Sequence, residues 1–437
     1  MSSRLERVEM AADRLISAIN SLTVVRKPFT IQPTYFDLWY QTLFQFADLL
    51  KDAQPVWARP QADEVTRILL CCGARRVTGD IMLDFILHAV LITENAFSKA
   101  AASGRRDEAL MLAMRRDLNA LKVISELDEG TMYKLIAEAA AANPSPDSAS
   151  KFAQAAWSGG GGSSIGREPN QAQRSWLAPP DSCWYYGEFE LRDAYCADNE
   201  LEGMYQRFLD EENWGELTEE LWHFFNRNGC GDFLKYRHFY FEGELKPLPE
   251  LRAGNCACVA EAELDALRAN ATAFLAGESA KPMLLCGRQG SGKTTLMLEL
   301  MDELPSLHTV FVPNYVKSSE IIALLEKLRD QPVKFMLLMD DLNPHALNGI
   351  CEPMLPMNVL ASATSAVPTM QSFFEITLEL REMDEDEFVR TVMLLLEDEG
   401  AYIPKETVRG ACTELRAQSK CELNIASAVR VKELLQS

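Results

Sequence analysis

The sequence predicts an all-α N-terminal region followed by an α/β core in which a parallel sheet is flanked by helices. Two observations carry this. Through the first 142 residues apolar side chains recur at three- and four-residue spacing, and strand-like alternation is scarce. From Met283 to Ser365, short apolar runs alternate with helical patterns, the signature of a buried parallel sheet with helices on its faces.

The helical region begins with Leu5, Val8, Ala12, Leu15, Ile19 and Leu22, which line one face of a helix over 4–22. Pro28 and Pro33 interrupt, and Phe36, Tyr40, Leu43 and Phe46 restore the pattern over 35–50. Further helices are expected over 62–73, 79–102, 106–125 and 129–142. Pro144 and Pro146 end the last of them. Gly159-Gly160-Gly161-Gly162-Ser163-Ser164 carries no apolar side chain to bury, so 158–182 is expected to be a flexible linker. The predicted organisation is a helical domain over 1–157, that linker, an aromatic and acidic connecting segment over 183–250, a core over 251–375 and a C-terminal part over 376–437.

The connecting segment concentrates Trp184, Tyr205, Phe208, Trp214, Trp222, Phe225, Phe233 and Phe239 among Asp210, Glu211, Glu212, Glu219 and Glu220. An aromatic platform for single strands needs a basic groove. This composition instead predicts short helices whose aromatics pack onto the next domain.

The 437 residues hold 43 Lys and Arg against 64 Asp and Glu, a net charge of −21, which argues against nucleic acid or an anionic membrane as main partner. Arg75-Arg76, Arg105-Arg106 and Arg115-Arg116 are scattered doublets of the kind found on solvated helix faces. The 11 cysteines include no C-x-x-C pair, and Cys256-Ala257-Cys258 lacks a second ligand pair, so the expectation is reduced thiols and no metal site made from them. The apolar stretch 81–92 is broken by Asp84 and His88 and is too short for a bilayer. A cytoplasmic protein is expected.

The sharpest signal is Gly287-Arg288-Gln289-Gly290-Ser291-Gly292-Lys293-Thr294, which fits G-x-x-x-x-G-K-[ST]. Glycines allow backbone N–H groups to curl around a β-phosphate, and the helix that follows adds partial positive charge. Lys293 would meet the β- and γ-phosphates, Thr294 would ligate Mg²⁺, and Thr295 continues the binding segment. The apolar run Met283–Cys286 precedes the loop and a helix over 295–304 follows it, as a P-loop NTPase core requires. Downstream, Phe335–Met339 ends in Asp340-Asp341. At the tip of a strand beside the P-loop, Asp340 could hold the metal through water and Asp341 could polarise the attacking water. ATP and Mg²⁺ are therefore the expected ligands.

With these motifs the sequence resembles the AAA+ class of P-loop ATPases, and in particular a group of poorly characterised bacterial ATP-binding proteins with a helical N-terminal region. The likeness runs from about Phe239 to the C-terminus. Residues 267–277 look like the helix leading into the P-loop strand, Asp340-Asp341-Leu342 like the second acidic motif, and Asn358 to Ser365 like the strand that carries a polar sensor. The resemblance makes 383–435 a helical lid. It implies a sensor Asn where this chain has Ala366, leaving Thr364 or Ser365 to stand in. It also implies an arginine before the lid, where this chain has Gln371-Ser372-Phe373-Phe374. Without that arginine, slow or partner-dependent turnover is expected. Arg430 is either the lid's phosphate sensor or an ordinary exposed arginine.

The leading functional reading is an Mg-ATP-binding ATPase whose nucleotide state governs a protein partner or client, with a homo-oligomer open. The alternative is a non-hydrolysing, nucleotide-dependent interaction module. A small-molecule kinase ranks last, because Glu379, Glu382, Asp384, Glu385, Asp386 and Glu387 would repel a polyphosphate where such kinases place arginines.

Overall fold

The computed structural model describes residues 4–25, 35–72, 74, 77–142, 198–248, 260–341, 355–365, 373–397, 400–418 and 423–436. The Gly/Ser linker expected over 158–182, Arg75-Arg76, Cys256–Cys258, Leu342, Ala366 and Gln371-Ser372 lie outside them. The chain forms two compact units, Met1–Gly231 and Asp232–Ser437. The boundary falls inside the aromatic stretch 183–250 rather than at either end of it.

The first unit is helical: α1 (Arg4–Ser21), α2 (Tyr35–Lys51), α3 (Pro55–Cys71), α4 (Ile81–Leu91), α5 (Ala96–Ala102), α6 (Glu108–Ser125), α7 (Glu129–Ala142), α8 (Asp198–Asp210), a 3₁₀ turn (Trp214–Leu217) and α9 (Thr218–Asn228). The single helix expected over 79–102 is two. Asn95 stops the chain with a capping box, its side chain accepting from the Ser98 N–H while Ser98 Oγ accepts from the Asn95 N–H. Asp80 likewise caps α4, accepting from the N–H groups of Met82 and Leu83.

A buried carboxylate ties the N-terminus into this unit. Asp117 of α6 is fully buried and accepts from the backbone N–H groups of Thr23, Val24 and Val25 at 2.6 to 3.0 Å, and from Thr23 Oγ1 at 3.1 Å. The turn after α1 thereby receives the acceptors that its own helix no longer supplies.

The aromatic segment behaves differently from expectation. Tyr205, Phe208, Trp214 and Phe225 are buried within the first unit, where Phe97 of α5 meets Phe225 edge-on and the Gly215 N–H donates to Asn119 of α6. Only its end joins the second unit. There α10 (Asp232–Lys235) leads into β1 (His238–Phe241) and β2 (Leu245–Pro247), two strands that the aromatic, acidic composition had concealed.

The second unit continues through α11 (Glu261–Ala276), β3 (Met283–Cys286), α12 (Lys293–Glu303), β4 (Leu307–Val312), α13 (Ser318–Arg329), β5 (Lys334–Met339), β6 (Val359–Ser365), β7 (Ile376–Glu379), α14 (Glu385–Glu397), α15 (Lys405–Gln418) and α16 (Ile425–Gln436). Its sheet has the order β2-β1-β4-β5-β6-β3-β7, parallel except for the β1–β2 pair. Strand residues alternate between two cores, as the period of two demands. Leu284, Cys286, Leu337 and Met339 face α13, with Leu324 and Leu328. Met283, Leu285, Met336 and Leu338 face α11 and α12, with Leu267, Phe274, Met297 and Leu300. The expected α/β core with helices on both faces is present. The three C-terminal helices form a separate small core around Phe388, Val392, Val408 and Val431.

Candidate nucleotide site

The phosphate loop leaves the C-terminal end of β3, between β6 and the edge strand β7, on the side of the sheet where open α/β sheets bind their ligands. It is stitched to both flanking strands: the Gly287 N–H donates to Ser365 O of β6 at 3.2 Å, and the Leu380 N–H beyond β7 donates to Cys286 O at 2.8 Å. Gly290 and Gly292 take φ of +81° and +92°, so these turns require glycine. A Cβ on Gly292 would lie 2.2 Å from Ile425 Cδ1. Gln289 is exposed at the tip of the loop, while Ser291 and Thr295 are half-buried.

Lys293 and Thr294 open α12. The Lys293 ammonium donates to the carbonyls of Gly287 and Arg288, both at 2.9 Å, folding back across the loop's mouth. Burial pulls its pKa below the ordinary lysine value, against the opposing carboxylates of Asp341 and Asp340. Ser291 Oγ is buried with no hydrogen-bond partner, an unsatisfied hydroxyl inside the loop. Arg288 points away from the loop to Glu382, at 2.6 Å.

The acidic pair reaches the loop by a route the sequence did not disclose. The strand that carries it, β5, does not adjoin β3; β6 lies between them. The gap is closed by hydroxyls. Thr294 Oγ1 and Thr364 Oγ1 each donate to Asp340 Oδ1 at 2.7 Å, and Thr364 Oγ1 accepts from the Asp341 N–H at 2.8 Å. Thr364 is fully buried at the end of β6, so of the two candidates to replace the missing Asn it is the one bonded to the acidic motif. Asp341 follows in a left-handed conformation, φ +47°, exposed at the strand tip.

The lid meets the loop through its last helix. The Ala426 N–H donates to Gly290 O at 3.2 Å, and Asn424 and Ile425 pack against Gly290 and Gly292. Arg430 is exposed further along α16, and the residues of this segment set against the loop are Asn424, Ile425 and Ala426. A cavity of about 510 Å³ opens beside Gly287 and Arg288, bordered by Glu379, Arg381, Glu382 and Asn424. Sequence reasoning missed Arg381 and the lid contacts. Arg381 sits in an acidic run that reads as a solvated face.

This donor set suits a magnesium nucleotide. A hydroxyl and a carboxylate that already share a hydrogen bond are the hard oxygen ligands Mg²⁺ takes, and the glycine turns leave a backbone cradle that a Cβ would fill.

Fold and site together define a P-loop NTPase core with a C-terminal helical lid, in a chain that also carries a helical N-terminal unit. Residues 232–348 match a family described as Protein of unknown function (DUF815), which is less than half of the chain. No curated protein matches the chain. Among solved structures, it is similar to the Thermotoga maritima RuvB Holliday junction branch migration motor, at 19% identity over 42% of this chain and 72% of that one, with a TM-score of 0.30. Cdc6p from Pyrobaculum aerophilum is 13% identical over 38% of this chain and 56% of that one, TM-score 0.29. C. elegans PCH-2 is 15% identical over 33% and 49%, TM-score 0.27. These are weak likenesses over under half of the chain, so function is read from the loop's own geometry.

Proposed function

We propose that the protein binds Mg-ATP at Gly287–Thr295 and hydrolyses it slowly or when a partner stimulates it, so that nucleotide state governs a protein–protein interaction in the cytoplasm. The observation that carries this is the meeting of Thr294, Asp340 and Thr364 hydroxyl and carboxylate oxygens beside the ammonium of Lys293. Lys293 would exchange the two loop carbonyls for phosphate oxygens. Thr294 and Asp340 would hold Mg²⁺, which screens the phosphate charge when bound. Asp341, exposed at the strand tip, would orient and polarise water. The negative charge of the chain does not oppose this, because a backbone cradle and one lysine suffice for a nucleotide.

The test is calorimetry of the full chain with Mg-ATP, paired with phosphate release. Wild type binds and turns over slowly, Lys293→Ala loses both, and Asp341→Asn binds without turnover. Absence of ATP binding by wild type would sink the proposal. A second reading, an interaction module that binds ATP without hydrolysis, draws on Phe373-Phe374 standing where the resemblance expects an arginine. Stimulated phosphate release that Asp341→Asn abolishes would exclude it.

A further inference from the structure

We propose that Arg381 is a phosphate-contacting residue supplied from within the same chain, and that Glu387 of the lid holds it until nucleotide arrives. The inference rests on the nucleotide-binding reading above and adds a ligand residue outside the loop motif.

Position comes first. The hydrogen bond from the Leu380 N–H to Cys286 O fixes the residue after β7 against the start of the phosphate loop, and Leu380 O would lie 3.3 Å from a Cβ on Gly287. Arg381 therefore leaves the backbone beside the loop. Its side chain borders both openings around it: a narrow one shared with Ser291, Gly292 and Ile425, and the cavity of about 510 Å³ shared with Gly287 and Arg288.

Charge comes second. Two acidic residues, Glu379 and Glu382, and two arginines, Arg288 and Arg381, border the larger cavity. A polyphosphate entering there meets two like charges unless the arginines turn toward it. Both arginines are held by carboxylates of the following segment. Arg288 bridges Glu382 at 2.6 Å. Arg381 grips Glu387 with both terminal nitrogens, Nη1 to Oε2 at 2.8 Å and Nη2 to Oε1. The Arg381 side chain is 63% exposed against 20% for Glu387, so the arginine is the partner with room to turn and solvent screens its side of the pair. Phosphate offers the guanidinium the same bidentate geometry as Glu387 does, and a polyphosphate carries more negative charge than one carboxylate.

The exchange has a consequence for the lid. Glu387 lies in the first turn of α14, where it also closes a capping box: it accepts from the Asp384 N–H at 2.9 Å, and its own N–H donates to Asp384 Oδ1 at 2.8 Å. When Arg381 turns to phosphate, α14 keeps its cap and loses its tie to the end of β7. Nucleotide binding thereby loosens the first lid helix.

The experiment compares ATP affinity by calorimetry in the full chain with Mg²⁺ for wild type, Arg381→Ala and Glu387→Gln, the glutamine retaining a cap oxygen. Arg381→Ala should weaken ATP binding about three- to ten-fold by removing a charge-assisted contact. Glu387→Gln should tighten it about two- to five-fold by freeing the arginine. Both variants break the ion pair, so a merely structural role moves both affinities the same way; opposite signs are the mark of exchange. Unchanged affinity in Arg381→Ala, or weaker binding in Glu387→Gln, overturns the proposal while the nucleotide site stands. Failure of wild type to bind ATP overturns the site reading itself.

Discussion

Replacing Thr364 by Val removes two hydrogen bonds while keeping shape. The side chain is fully buried, so valine fills the same volume and the loss is polar alone. The bond to Asp340 Oδ1 has an ionised acceptor and contributes about 2 kcal/mol. The Asp341 amide loses its acceptor as well, at about 1 kcal/mol, because Asp341 is exposed and water can take part of the place. The total is about 3 kcal/mol for the Asp232–Ser437 unit, and for a unit of roughly 200 residues that lowers its melting transition by about 6–12 °C. Differential scanning calorimetry of the full chain reads the shift. Thr364→Ser, which keeps the hydroxyl, should recover most of it. Calorimetry should also show Thr364→Val losing Mg²⁺-dependent ATP affinity, since Asp340 then has Thr294 as its one remaining hydroxyl donor of the pair. A Thr364→Val protein that melts within a degree of wild type would refute the assignment of β6 as the link between acidic motif and loop.

Gly292→Ala should weaken ATP binding more than ten-fold and destabilise the second unit by about 1–2 kcal/mol, because alanine disfavours φ +92°. The added Ile425→Val, which removes the clashing Cδ1 with little loss of core volume, should relieve the 2.2 Å contact but not the backbone cost, so thermal stability returns only in part. His308 is wholly buried and burial lowers its pKa to about 4, while the unfolded chain titrates near its ordinary value. Its contribution is therefore present at neutral pH and lost as pH falls from about 6.5 toward 4, about 2 kcal/mol by pH 5. Scanning calorimetry at pH 7 and pH 5 should show the second unit's transition falling, and His308→Phe should reduce that dependence without abolishing it, because burial also lowers the pKa of His238 of β1 to about 4. Asp117→Ala strands the amides of Thr23, Val24 and Val25, and should lower the stability of the first unit by about 3 kcal/mol in urea unfolding.

Helices such as α1 were legible because they bury one stripe, and the periodic positions Val8, Ala12, Leu15 and Ile19 lie on the buried face of α1. The strands β3 and β5 were legible because strands buried on both faces become short unbroken apolar runs, and β4 and β6 because their apolar and β-branched residues fall between helical patterns. The P-loop announced itself because its glycines have no substitute. What stayed hidden depends on partners distant in sequence. β1 and β2 are short, and residues such as Tyr240 and Lys246 on the outer strands carry polar groups, so no unbroken run marks them. The insertion of β6 between β3 and β5 is a matter of strand order, which local pattern does not encode. The break at Asn95 was readable in hindsight from Asn95 and Ser98, but the surrounding apolar density hid it. Arg381 was obscured by the glutamates that hold it.

The strand order also bears on how the chain is made. β3 emerges from the ribosome long before either neighbour, since β6 and β7 follow the whole of β4, α13 and β5. The segment that holds the phosphate loop is thus an apolar strand with two open edges for much of synthesis. The helical unit ends at Gly231 and has its core available earlier. Newly made protein should accordingly pass through a stage with one finished half and one sticky strand. Truncation between β5 and β6 is the cut expected to aggregate most.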